Sequence, residues 1–546
     1  MPRSNFSTLA NFNTFGVISC TLVALAGVGA LPAVATASAA LPTAPQTFDT
    51  SYAAPAGATI KVSAGGDLQA ALDNAQLGDT IVLQAGATFT GPVKLPNKTT
   101  GSGWIYVVSS NLSGLPPAGT RVDPANAPNM PKIVAPSNES ALTTVANSNH
   151  FRFVGIEFAP ASGAAPIYTL IAIGNADASP ATLPSYIVFD RCYVHGTPGT
   201  NDQRGIEMDG AYVAVVDSYI TDFQWVGADT QGLWAYNTSG PLRIFDDYIE
   251  AAGENVMFGG ADSHAASLVP ADIEIRSNYF FKPLSLIGSQ WTSKNLLEFK
   301  SAQRVLVAGN TFQNNPRAAQ NGFAILLTPR NSNGTAPWSI TSDIAITGNT
   351  VINVGSGFNI SGEDNVHQSL PTARVLIRNN LVGVSGLNGA DGRAFQFLGG
   401  GSDYTIDHNT VINTAGNISD LVMAESTPKV NNFVFTNNLS THTAYGFFAS
   451  GLGQGTVALD ADFASWTFSR NALTGAPAAS YPDGNFFPAS VAAIQFVNYT
   501  GGNYALSAVS PYKSAATDGT DIGANLSAMP ATNQILPDPP ANLSVQ

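Results

Sequence analysis

Seven short segments carry side chains able to do chemistry at alternating positions: GIEMDG from Gly205, GLWAY from Gly232, NVMFGG from Asn255, LLEFKS from Leu296, AILLTPR from Ala324, GFNISG from Gly357 and FQFLGG from Phe395. Read as stacked strands with apolar residues inward, they turn one column outward: Glu207, Trp234, Met257, Glu298, Leu326, Asn359 and Gln396. Beside it runs Asp209, Tyr236, Gly259, Lys300, Thr328, Ser361 and Leu398, with Arg330 two residues past Thr328. Aromatic faces stack on sugar rings, and amides and carboxylates bind hydroxyls. Such a face suits an extended polysaccharide, with Glu207, Asp209, Trp234, Tyr236, Glu298, Asn359 and Gln396 as binding residues. Stacked strands lie about 4.8 Å apart and alternate residues about 6.7 Å apart, so the Lys300 and Arg330 backbones are expected roughly 8 Å apart, both within reach of one sugar. β-Elimination of a uronic acid needs such a pairing: a cation neutralises the sugar carboxylate while a base takes the neighbouring proton. Glu207 and Asp209, about 6.7 Å apart at their backbones, suit instead an inverting hydrolase, whose carboxyl groups lie roughly 6.5–9.5 Å apart. A sheet that binds polysaccharide without cleaving it is the third reading, since a fold alone gives no function.

Other candidates are weaker. The glycines of GENVMFGGAD allow close approach of backbone or ligand, and Glu254 and Asp262 at its ends are candidate ligands for Ca2+ or for a sugar hydroxyl. His264 and His195 fall in turns and read as surface residues. No GxSxG, CxxC, HExxH or P-loop stands out.

The elements that must position these residues follow from a repeat. An eight-residue pattern, apolar at its first, third and last positions, recurs from Phe151: IVFDRCYV at Ile187, VAVVDSYI at Val213, LRIFDDYI at Leu242, IEIRSNYF at Ile273, VLVAGNTF at Val305 and four more to FVFTNNLS at Phe433. A spacing of 26 to 39 residues between starts signals a solenoid, and the alternation within each unit signals strand. The sixth position reads Asn278, Asn310, Asn349, Asn380, Asn409 and Asn438 in six consecutive units, the signature of an asparagine ladder at a bend. Near the start, Leu68, Ala71, Leu72 and Ala75 share one helical face, with Asp67 as N-cap and Gly78 as stop, so a short helix is expected to plug the open end. Near the other end, the stretch from Tyr504 to Ala524 reads as a closing turn.

With these features the chain resembles the right-handed parallel β-helix proteins of the pectate lyase-like superfamily. GGDLQAALDNAQLGDTIVL is similar to their N-terminal cap, the Asn ladder is typical of them, and SPYKSAATDGTDIGA is similar to their last coil. The fold implied is all-β, a solenoid of about 10–13 coils with an N-terminal capping helix and an asparagine ladder. LEFKSAQRVLVAGNTF followed by LLTPRN further resembles the Lys-Ser, Asn-Thr-Phe and Arg arrangement of alginate lyase and chondroitinase B-like polysaccharide lyases. The resemblance implies that Lys300 is the base and Arg330 the acid. That family has acidic calcium ligands five and seven residues before its Lys, where this sequence has Asn295 and Ser293.

Composition bounds the rest. Only 11% of the 546 residues are charged, and 44 Asn stand beside 52 Gly, a composition of turns and strand edges that disfavours helical bundles. A net charge of −14 excludes nucleic acid as a partner, and the expected partner is an acidic polysaccharide bound by a monomer. Residues 1–39 read as an export signal, with an apolar run from Val17 to Val34 and Ala37-Ser38-Ala39 as cleavage site, giving a secreted or periplasmic protein with no transmembrane anchor after signal removal. Lipoprotein anchoring through Cys20 is not expected, because the apolar run follows that residue. Residues 40–57 are expected to be a linker, 58–525 the β-helix and 526–546 a Pro-rich tail. Signal removal leaves Cys192 alone, so no internal disulfide is expected.

Overall fold

The computed structural model describes residues 38–174, 179–416, 419–441 and 444–529. The export-signal reading falls outside these residues except for Ser38 and Ala39, and most of the Pro-rich tail lies outside them too.

Each coil contributes one strand to each of three long parallel sheets. The first has fourteen strands, from Thr59–Val62 to Trp466–Ser469; the second and third have thirteen each. Apart from the terminal strand Gly453–Gln454, which folds back antiparallel on Phe447–Ala449, each strand of these sheets pairs in parallel with the equivalent strand one coil away, which makes a right-handed parallel β-helix. The eight-residue repeat spans two of these sheets. Its first half lies in the first sheet (Ile187–Asp190 in one coil), its last two residues enter the second (Tyr193–Val194), and the sixth residue sits at the bend between them.

That bend carries the ladder. From Asn278 through Asn310, Asn349, Asn380, Asn409 and Asn438 to Asn471 and Asn485, each side-chain Nδ2 donates to the next Oδ1 at 2.9–3.1 Å. Each of those Oδ1 atoms also accepts the backbone N–H of the preceding Asn, so a buried bend leaves no donor unpaired. Toward the N-terminus the same column continues as Asp247, Ser218 and Cys192, each linked through a backbone N–H to the next side chain. Cys192 is fully buried and burial pushes its thiol up to about 12, so it packs and does not react.

Apolar first and third positions stack inside the coil. Phe153 lies on Phe189 with centroids 5.4 Å apart, Phe258 on Phe299 at 5.5 Å and Phe358 on Phe395 at 5.3 Å. The open end is plugged by helix α1 (Leu68–Asn74), whose Leu68, Ala71 and Leu72 are buried and whose N-cap Asp67 accepts from the Ala70 N–H at 2.9 Å. A second helix, α2 (Thr456–Asp462), packs Ala458 and Leu459 at the far end and has no counterpart in the sequence reading. The closing segment buries Tyr512 and Ile522 against Leu439 and Ala472.

Residues 40–48, expected as part of a linker, are instead an ordered strap along the outside of the first sheet. The backbone N–H groups of Ala40, Thr43 and Gln46 donate to carboxylate oxygens of Asp403, Asp343 and Asp272 at 3.1, 3.0 and 2.9 Å. Those aspartates lie on alternate strands of the sheet, Ser402–Asp407, Thr341–Thr347 and Ala271–Arg276. Three residues of polyproline II helix rise about 9.3 Å and two strand spacings are about 9.6 Å, so an extended chain matches the sheet without slack. Pro42 and Pro45 supply that conformation at positions where no N–H is needed. Phe48 ends the run, buried against Tyr212, Tyr186 and Trp104.

Candidate functional site

The third sheet brings the expected column into register. Ala172, Glu207 and Trp234 pair in sequence, then Trp234 with Met257, Met257 with Glu298, Glu298 with Leu326, Leu326 with Asn359 and Asn359 with Gln396. What differs along the column is whether a cleft opens over it, since Glu298 and Gln396 are themselves as buried as Glu207 and Trp234. From Glu298 onward it floors an open groove of about 860 Å³ lined by Glu298, Lys300, Arg330, Asn359, Gln396 and Glu425.

Lys300 follows the strand Leu297–Phe299, with its N–H donating to the Phe258 carbonyl at 2.7 Å. Its side chain is 17% exposed and its Nζ lies 3.7 Å from Glu298 Oε1. Gly260 makes the room: with φ near +82° it adopts a left-handed conformation, and a Cβ there would stand 2.9 Å from the Met257 methyl and 3.4 Å from Lys300 Cδ. Glu298 is held from two sides, by the Thr328 hydroxyl at 2.9 Å and the Asn295 amide at 3.1 Å.

Arg330 stands closer to Lys300 than extended-strand arithmetic predicts. Its N–H donates to the Lys300 carbonyl at 2.8 Å, so the two backbones are one strand spacing apart, about 4.8 Å, and not roughly 8 Å. The guanidinium, 37% exposed, donates to Asp364 at 2.8 Å and to Asn365 Oδ1 at 2.9 Å. Burial would raise the Asp364 carboxyl, but the N–H groups of Val366 and Asn331 and the Arg330 guanidinium outweigh it and hold it below the usual carboxylate range. Asp364 and Asn365 were absent from the expected set; they lie in the turn SGEDN, past a strand whose alternation stops at Ser361. Farther along, Gln396 donates to Asn359 Oδ1 at 3.1 Å and accepts from Arg393 at 2.6 Å, forming a row of amides across the groove.

The groove does not extend over the other half of the column, where Tyr236 borders a separate recess beside Asp262 and His264. Glu207, Asp209, Trp234 and Tyr236 are all buried. Arg204 stacks over Trp234 at 4.2 Å, Trp234 stacks on Tyr236 at 4.6 Å and donates its indole N–H to the Gly259 carbonyl at 2.8 Å. Those rings, expected to stack on sugar, stack on each other, because the loop through Gly259 closes over them. The Glu207 and Asp209 carboxyls lie side by side in this core; burial drives both upward, and Arg204 only partly offsets it for Glu207. Asp209 is further fixed by the N–H groups of Tyr236 and Asn237 at 2.8 and 2.9 Å. A buried, mutually contacting pair leaves no space for substrate and water between carboxyls, which removes the inverting-pair geometry.

The two candidate metal ligands serve different local contacts. Asp262 accepts from the Asn333 and Thr335 N–H groups and the Thr335 hydroxyl at 3.0, 2.9 and 2.7 Å, tying two loops together. Glu254 is fully buried, accepts from Gln231 at 2.8 Å and lies 3.5 Å from the Lys294 ammonium, which also pairs with Asp229. At the positions where the lyase resemblance implies calcium ligands, Ser293 Oγ and Asn295 Oδ1 are buried without hydrogen-bond partners, as is Glu254 Oε1. Calcium is held by six to eight hard oxygens with several carboxylates among them. Here Glu254 and Asp229 already share the Lys294 ammonium, Glu298 is taken up by Thr328 and Asn295, and the remaining groups are a neutral hydroxyl and amide, a set that does not fit it. Among the described residues no group of three His, Cys, Asp or Glu side chains is arranged for a metal. Lys282, also outside the expected set, is fully buried with its ammonium donating to the carbonyls of Ala251, Ala252 and Gly253 and to Asn255 Oδ1 at 2.6–3.0 Å. It fastens the turn that leads into the Glu254–Phe258 strand. His264 is exposed, and His195 pairs with Glu157 at 3.0 Å.

Fold and groove together define a right-handed parallel β-helix protein with an open cleft on one sheet. No protein-family model matches the sequence, and a search of curated proteins finds no match. Solved structures are similar in fold. The alginate lyase from Paenibacillus sp. str. FPU-7 is 15% identical over 59% of this chain and 99% of that one, with a TM-score of 0.29. Pectate lyase Pel9A is 14% identical over 86% of this chain and 96% of that one, at 0.30. The catalytic unit of a thermostable GH87 α-1,3-glucanase from Streptomyces thermodiastaticus strain HF3-3 is 13% identical over 78% of this chain and 70% of that one, at 0.43. Among the described residues no helix is long and apolar enough to cross a membrane.

Proposed function

We propose that the groove binds a uronic-acid-containing polysaccharide outside the cytoplasm and cleaves it by β-elimination. The observation that carries this reading is the pairing of Lys300 and Arg330 on adjacent backbones at one open cleft, with Glu298, Asn359 and Gln396 beside them to bind hydroxyls. Arg330 counters the sugar carboxylate, which makes the adjacent C5 proton acidic. Lys300 is the base that takes that proton, and the electron pair of the broken C5–H bond forms the C4=C5 bond as the C4–O bond breaks. The departing oxygen takes a proton from solvent, since a guanidinium does not give one up, so the part of Arg330 is electrostatic. No step runs through a metal ion.

The lining charges refine the substrate. Two basic side chains, Lys300 and Arg330, face three carboxylic ones, Glu298, Glu363 and Glu425. Such a cleft favours a chain whose carboxylates are separated by neutral sugars over one charged at every residue. The test is spectroscopic: elimination leaves an absorbing carbon-carbon double bond at the new non-reducing end, and hydrolysis leaves none.

A further inference from the structure

We infer that export completes the fold: cleavage between Ala39 and Ala40 frees an α-amino group that pairs, as an ammonium, with the Asp403 carboxylate at the end of the strap. Hydrolysis of that peptide bond consumes one water and leaves a carboxylate on Ala39 and an amine on Ala40, which takes up a proton at neutral pH.

Three observations converge on this bond. The small-residue motif Ala37-Ser38-Ala39 ends one residue before Ala40, and Ser38 and Ala40 are exposed. Ala40 is also the first residue of the strap to donate a backbone hydrogen bond to the sheet, through the atom that cleavage would convert to an ammonium, 3.1 Å from Asp403 Oδ1. Thirdly, Asp403 lacks the guanidinium hydrogen bonds that its equivalents have, since Arg374 is bonded to Asp343 and acts on Asp403 only through space. Arg304 grips Asp272 with two hydrogen bonds at 2.9 and 2.8 Å, and Arg374 grips Asp343 with two at 2.7 and 2.6 Å. The next strand offers Asp403 only the neutral amide of Asn432, at 3.0 Å. The aspartate column therefore has a hydrogen-bonded guanidinium for each strap contact except the last, and the new N-terminus supplies a hydrogen-bonded cation there.

The test compares two forms of the full exported chain, one processed from its own leader and one carrying a Gly-Ser extension before Ala40. Mass spectrometry of the first is expected to show a chain beginning at Ala40. Hydrogen exchange at the Thr43 and Gln46 amides is expected to be roughly 1.5- to 5-fold slower in the processed form, the effect of one partly exposed ion pair. Asp403→Asn should abolish the difference without changing the extended form, and the difference should fade as pH rises past the ordinary α-amino range of about 8. A mature chain that starts elsewhere, or equal exchange in the two forms, would overturn the inference.

Discussion

The N–H of Arg330 donates to the carbonyl of Lys300 at 2.8 Å, so the two basic residues of the groove are fixed to each other through the backbone before any substrate arrives. The Ser339 hydroxyl reinforces this by donating to the Arg330 carbonyl at 2.6 Å. Pre-fixed charges cost no reorganisation during reaction, which is where electrostatic stabilisation is most effective.

Lys300→Ala is expected to lower turnover by about 100- to 10,000-fold, the usual contribution of general acid–base catalysis, while polymer retention in affinity electrophoresis changes little. Full activity in that variant would remove Lys300 from the chemistry. Glu207→Gln, by contrast, should leave turnover within about twofold, because the side chain lies in the core and raised carboxyls are already protonated for part of the time.

Asn349→Ala tests the ladder. It leaves the backbone and side-chain N–H groups of Asn310 without their acceptor, takes the amide donor from the Val307 carbonyl, and is expected to cost about 2–3 kcal/mol by denaturant unfolding. Asn485→Ala, at the exposed end of the column, should cost less.

The strap should be acid-labile. Burial would raise Asp343, but the Arg374 hydrogen bonds and the Thr43 N–H outweigh it and bring the carboxyl to about 2. A carboxyl lowered by folding contributes stability that is fully present above its ordinary pKa near 4 and is lost as pH falls toward about 2. Protease cleavage within residues 40–48 should therefore accelerate across that window, and Asp343→Asn should show the accelerated rate already at neutral pH.

Chelation is expected to leave activity unchanged, since Glu254, Ser293 and Asn295 do not make a calcium site beside Lys294. A loss of turnover in chelator that added Ca2+ restores would contradict this.

The coil was legible because each repeat marks its inward positions and its bend with residue type; Asn278 to Asn438 could be read off before any coordinates. The column of the third sheet was legible for the same reason, down to the pairing of Glu298 with Leu326 and of Leu326 with Asn359. Exposure was not, since alternation says which face a residue takes but not whether a loop returns over it, and Trp234 and Tyr236 are covered by one. Nor was the strap. Its signal stands in the residue just before each repeat, Asp272, Arg304, Asp343, Arg374 and Asp403, an alternating charge column that has meaning only once the coils are stacked. Asp364 was missed because it sits in a turn, where no periodicity applies.

The central claim is elimination by Lys300 and Arg330, and the direct measurement is ultraviolet absorbance of the products formed from uronic-acid polymers, followed beside a reducing-end assay. The account predicts that absorbance and reducing ends rise together, faster on chains whose uronic acids alternate with neutral sugars, and that both vanish in Lys300→Ala. Reducing ends that accumulate without absorbance would contradict it and identify the groove as a hydrolase site.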